Sequence, residues 1–194
     1  MKERIMKKKM LAAVAAFCAL VLALAIQGDA ATTLAATVRI QVTGGFDNAL
    51  DLTNVQSPLS YANAIAFSNG TGANQADVIF TDTRAVAAAE DLDVSAGALQ
   101  TAFGATFTIA ELKLLVVCAS TANTGNVVLG GDAASVLFLS VATTTTSIKP
   151  GGCFVYADPS ATGTAVTNST ADVIQVAPSA GTQTYSIIIM GSSS

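Results

Sequence analysis

The 194-residue chain contains no histidine, which removes the usual general base, the usual triad member and the commonest metal ligand together. Its densest carboxylates are Glu90, Asp91 and Asp93 in AAAEDLDV, and a pair of this kind is able to hold Ca²⁺ or to divide acid and base roles. On a strand, however, Asp91 and Asp93 share one face while Leu92 and Val94 take the other. A solvated, charged edge that discourages further pairing accounts for them without a metal. Cysteine catalysis requires a thiolate beside a base, and the only cation close in sequence to Cys118 or Cys153 is Lys149, four positions before Cys153. Gly130-Gly131 and Gly151-Gly152 lack the following helix and the Gly-Lys-Ser/Thr that hold phosphate, so they read as turns. Asn69-Gly70-Thr71 and Asn168-Ser169-Thr170 match the N-glycosylation pattern and are read as turn residues too. No catalytic, cofactor or metal residues are expected, and the chain reads as a non-enzyme.

The elements that must carry this surface begin after an address. Lys2, Arg4, Lys7, Lys8 and Lys9 precede an unbroken apolar run, Met10–Ile26, which is the charged and apolar pattern of a secretory signal. Small residues at Gly28 and Ala30 place the expected cleavage after Ala30. The alternative is a retained anchor, since the run is at the lower limit for a bilayer span. Residues 31–194 keep Arg39, Arg84, Lys113 and Lys149 against eleven acids, a net charge of −7. Four scattered cations make no stripe for nucleic acid. The expected location is outside the cell or on its surface, with membrane contact only through the signal.

Two cysteines remain in this exported segment, Cys118 and Cys153, each in a strand-like apolar run. They are either a disulfide, as an oxidising compartment permits, or two buried thiols packing as small hydrophobes. Short alternating runs divided by Gly, Asn, Asp, Pro and Ser predict an all-β antiparallel β-sandwich, jelly-roll-like, behind the signal helix. Expected strands are Thr37–Val42, Ala49–Thr53, Tyr61–Phe67, Asp77–Asp82, Glu90–Val94, Thr106–Ile109, Leu112–Ala119, Asn126–Leu129, Val136–Val141, Thr145–Lys149, Cys153–Ala157, Asp172–Ala177 and Thr182–Met190. Ser95–Gly104 breaks the alternation and reads as a short helix or structured loop. The apolar run Tyr185–Met190 reads as a central strand covered on both faces. Residues 1–30 are the signal, 31–75 N-terminal strands and a linker, and 76–194 the sandwich body, with 31–194 expected to form one domain.

The segment Thr37-Val38-Arg39-Ile40-Gln41-Val42 alternates cleanly just behind the expected new terminus. It either pairs in its own sheet or completes a neighbour's by strand addition.

The order of NGTGANQAD (Asn69–Asp77), VIFTDTR (Val78–Arg84), EDLDV (Glu90–Val94), ALQTAFGATFTIAELKLLVV (Ala98–Val117), NTGNVVLGG (Asn123–Gly131), IKPGGCF (Ile148–Phe154), ADPSATGTAVT (Ala157–Thr167), ADVIQV (Ala171–Val176) and TYSIIIMGSS (Thr184–Ser193) resembles small virion-associated structural proteins of tailed bacteriophages and prophages. ALDLT (Ala49–Thr53) fits as well. The resemblance implies a β-rich particle component with no catalytic residues to transfer. A secretory signal departs from that pattern, because phage particles assemble in the cytoplasm. Together these features lead to the expectation of a self-assembling subunit of a filament, tube or layer. The alternatives are a phage decoration or tail component, or a secreted glycan-binding or host-surface-binding module using loops Ser68–Asn74 or Pro159–Thr167. The binding module suits the sequence less well, because Trp is absent and Tyr is scarce.

Overall fold

Alternating β-branched runs leave the chain one economical way to satisfy its backbone, which is to pair antiparallel and bury one face per strand. The computed structural model describes residues 33–49, 54–136 and 144–193. They form strands β1 (Ala35–Ala49), β2 (Asn54–Ser68), β3 (Val78–Val86), β4 (Glu90–Asp93), β5 (Leu99–Gln100), β6 (Thr106–Phe107), β7 (Glu111–Ala119), β8 (Val127–Gly130), β9 (Thr145–Ile148), β10 (Cys153–Ala157), β11 (Thr164–Ala165), β12 (Val173–Pro178) and β13 (Gln183–Ser192). The expected signal at 1–30, the strand expected at Ala49–Thr53 beyond Ala49, and the one at Val136–Val141 beyond Val136 lie outside the described residues.

The fold is all-β, and every pairing between named strands is antiparallel. One sheet has the order β10-β7-β13-β3, with β11 also pairing β7, and a second has the order β4-β12-β8-β9. Their facing sides share one core: Phe80, Leu115, Val117, Ile187 and Ile189 from the first sheet meet Leu92, Leu129, Ile148, Ile174 and Val176 from the second. Phe107 on the small β5–β6 hairpin closes one side of this core, its ring centroid 5.7 Å from that of Phe80. The third layer is a separate two-stranded ribbon, β1-β2.

Turn chemistry fixes the register. Between β9 and β10, Gly152 N–H donates to Lys149 C=O at 2.8 Å with Gly151 at φ +78°, the type II geometry that Pro150-Gly151 favours. Near the end of β13 the ladder shifts: Met190 pairs Leu114 but Gly191 pairs Leu112, so Lys113 is the extra residue of a bulge. A Cβ at Gly191 would run into the Glu111 carbonyl and the Ile109 side chain, which is why the bulge carries glycine there.

Of the two readings of Ser95–Gly104, a short helix or a structured loop, the structure shows the loop, which carries β5, with Leu99 buried and Phe103 82% exposed at the tip. The helical spacing of Leu99, Ala102 and Phe103 is overridden by the pairing of Leu99 with Phe107. Two expectations are corrected. The short strands expected at Thr37–Val42 and Tyr61–Phe67 are parts of two much longer strands. Each ribbon strand is 15 residues long, running through Gly44-Gly45 without a register break, because a two-stranded ribbon tolerates glycine and even Pro58 on its free edges. Finally, β13 is central but is not covered along its whole outer side, since Ser186 and Ile188 are exposed.

Candidate assembly surface

Period-two alternation gives the β1-β2 ribbon two unlike faces. Leu34, Ala36, Val38, Ile40, Val42, Gly44 and Phe46 alternate with Ala35, Thr37, Arg39, Gln41, Thr43, Gly45 and Asp47. The register sets Val38 opposite Ile65, Val42 opposite Tyr61 and Gly44 opposite Leu59, so one face is mainly apolar, interrupted by Asn63 and Ser57, and the other carries the ribbon's charged side chains, Arg39 and Asp47. The proximal end of the apolar face is covered. Leu34 and Phe67 are buried with Leu114 and Met190, and Ala36, Val38, Ile65, Ile79 and Ala157 pack around them. Asn69 Oδ1 accepts from Leu34 N–H at 3.1 Å and ties the ribbon base to the following loop.

Farther out the same face is bare. Residues 39–47 and 56–64 are all exposed, including Ile40, Val42, Phe46 at 74%, Leu59 and Tyr61. An isolated two-stranded ribbon is marginal in water, and contiguous exposed apolar surface of this kind marks an interaction site. The segment Thr37–Val42, read as pairing either in its own sheet or with a neighbour, is paired with Tyr61–Ala66 of its own chain.

The outer side of the first sheet is organised in rows across its strands. The row Ile79–Met190–Leu114–Ala157 lies under the ribbon base. One step along is Thr81–Ile188–Val116–Val155, where Val155 and Ile188 are large exposed hydrophobics. One step further, Cys118 and Cys153 face each other and are joined in a disulfide, so the structure selects the bonded alternative. This bridge ties β7 to β10 beside the half-covered row.

Polar groups elsewhere have structural partners. Glu90 accepts from Arg84 Nη2 at 3.0 Å and from the Tyr185 hydroxyl at 2.5 Å. The hydrogen bond to Glu90 raises the Arg84 guanidinium's affinity for its proton, and burial followed by the Glu90 bond pushes the Tyr185 phenol well above its ordinary range. Asp91 accepts from Gln175 Nε2, while Asp93 Oδ1 accepts from Ser95 N–H and Ala96 N–H. Leu92 and Val94 are buried behind them, so the expected division of faces holds. Among the described residues no group of three or more metal-ligating side chains converges.

Lys113 is the residue whose role sequence reasoning missed. It is fully buried, its Nζ 2.8 Å from Glu111 Oε2 and donating to the Ser160 and Ala161 carbonyls at 2.9 Å. A lone Lys inside the apolar run LKLLVV was the available signal, since buried cations occur with partners. It pins the Pro159–Thr167 loop to the β7 bulge. Asp158 in the same loop is held below the usual carboxylate range, chiefly by the Ser160 hydroxyl. Pro159 C=O in turn accepts from Asn74 N–H at 2.8 Å, which brings the two loops expected to suit a binding module together at one place.

No family model, curated protein or solved structure matches the chain.

Proposed function

We propose that the chain is a non-enzymatic structural subunit that assembles with copies of itself into a filament, tube or layer outside the cell or on its surface. The observation that carries this reading is the amphipathic ribbon, whose apolar distal face is exposed in the single chain. Burying such a face against a second protein recovers the hydrophobic free energy left unused in the monomer. The low density of charge on residues 31–194 leaves little repulsion between packed copies. The signal-like N-terminus supports assembly after export, and the jelly-roll-like sandwich with its phage-like order of segments supports a particle-building role. The partner in this reading is the chain itself, without nucleic acid and without a cofactor. Electron microscopy of the exported, processed protein tests it. Ordered particles or filaments are expected, and a monodisperse monomer at high concentration overturns it.

A further inference from the structure

Two apolar surfaces on this chain are left incomplete, and they are complementary in kind. The first is the distal ribbon face, Ile40, Val42, Phe46, Leu59 and Tyr61. The second is the row Ile188–Val116–Val155 on the outer side of the first sheet, where Ile188 is 36% and Val155 45% exposed, while Val116 between them is partly buried against the cluster at the ribbon base. The run Ile187–Met190 carries the continuous apolar character of a strand covered on both faces, yet the chain's own ribbon covers only its Met190 end. The molecule itself displays the packing that would complete it: the proximal part of this ribbon face already sits on the adjacent row of this sheet, with Val38, Ile65 and Phe67 clustered with Met190 and Leu114. Neither surface carries a charged side chain, since Asn63, Ser57 and Gly44 complete the ribbon face and Thr81 completes the row.

We infer that the distal ribbon face of one copy docks on the Ile188–Val116–Val155 row of a second copy, beside that copy's own ribbon base. The contact joins two different patches, so it is head-to-tail, and repetition yields a ring or an open filament. It is face packing and differs from strand addition, because Thr37–Val42 keeps its partner Tyr61–Ala66. At 15 residues, each ribbon strand extends about 50 Å at the usual rise, which is enough to cover its own sheet and reach a neighbour. The disulfide between Cys118 and Cys153 holds β7 and β10 in register beside the receiving row.

This inference rests on the self-assembly reading, and a mixing experiment separates the two. One variant of the exported full chain loses the ribbon face (Phe46→Ser with Tyr61→Ser), and another loses the row (Ile188→Glu with Val155→Glu). Each alone is expected to be monomeric in sedimentation velocity, with association weakened by at least about 100-fold, because each face would bury polar or unpaired charged groups. Mixed, they are expected to form a 1:1 dimer and nothing larger, since one intact ribbon remains for one intact row. That dimer also shows that both variants are folded. Val155→Lys alone, at a site already open to solvent, gives an independent reading of the row and is expected to weaken assembly in the same direction. If wild type assembles and the row variants assemble equally well, or the mixture gives no 1:1 dimer, this docking is overturned while self-assembly stands. If wild type itself remains monomeric, both fall.

Discussion

Replacing both bridged cysteines, Cys118→Ala with Cys153→Ala, isolates the contribution of one covalent link to the fold. The bridge joins residues 35 apart in sequence, and closing a loop of that length in the unfolded chain corresponds to about 3.8 kcal/mol at 25 °C in the chain-entropy description. Little packing is lost with the sulfur atoms, because the pair lies on the outer side of its sheet, Cys118 half-buried and Cys153 exposed. The loss is therefore expected to act mainly on the unfolded state. For a domain of this size the melting temperature should fall by roughly 8–15 °C. In urea the midpoint should drop by about 2 M, with a steeper transition as the unfolded chain expands. Wild type treated with reductant should reproduce the variant, and its intact mass should rise by two protons. Equal midpoints with and without reductant would refute the reasoning, as would an oxidised protein whose mass does not change on reduction.

Lys113→Met keeps the length of a buried side chain but strands the Ser160 and Ala161 carbonyls and leaves Glu111 with the Ser192 hydroxyl alone; a loss of about 3 kcal/mol by urea unfolding is expected, with faster proteolysis in the 158–163 loop. The buried phenol of Tyr185 has its proton affinity raised in the fold, so its contribution is complete below the unfolded-state value of about 10 and is lost as pH rises beyond it. Stability measured between pH 8 and 11.5 should decline more steeply for wild type than for Tyr185→Phe, which at neutral pH costs about 1–2 kcal/mol by removing the donor to Glu90. Gly191→Ala should destabilise by more than 1 kcal/mol in thermal melts, since its Cβ meets the Glu111 carbonyl and Ile109.

Much of the architecture was written in local pattern. Cys153–Ala157 alternates between turn residues on both sides and forms β10 over that span. EDLDV announced which side chains of β4 are buried, because a strand has only two faces to offer. The ribbon was legible only in part: alternation runs from Leu34 to Phe46, but Gly44-Gly45 resembles punctuation, and nothing local says that a glycine pair will be carried through in register by a partner strand. In Ser95–Gly104 the helical spacing left a helix and a loop both open, and the pairing of Leu99 with Phe107, a contact outside the segment, decides for the loop. The disulfide could not be chosen over two buried thiols, because it depends on β10 lying beside β7 in one register, a long-range fact. In the sequence Lys113 is one of four scattered cations. Its burial follows from a bulge that depends on Gly191 in a strand nearly 80 residues away.

On the outer side of β13 the chain covers Met190 beneath the ribbon base and leaves Ile188 exposed.

Sedimentation velocity of the exported, processed protein over a wide concentration range tests the self-assembly claim most directly. The account predicts concentration-dependent growth into larger species that Phe46→Ser with Tyr61→Ser abolishes without loss of fold. A single monomeric species throughout, unchanged by those substitutions, would contradict it.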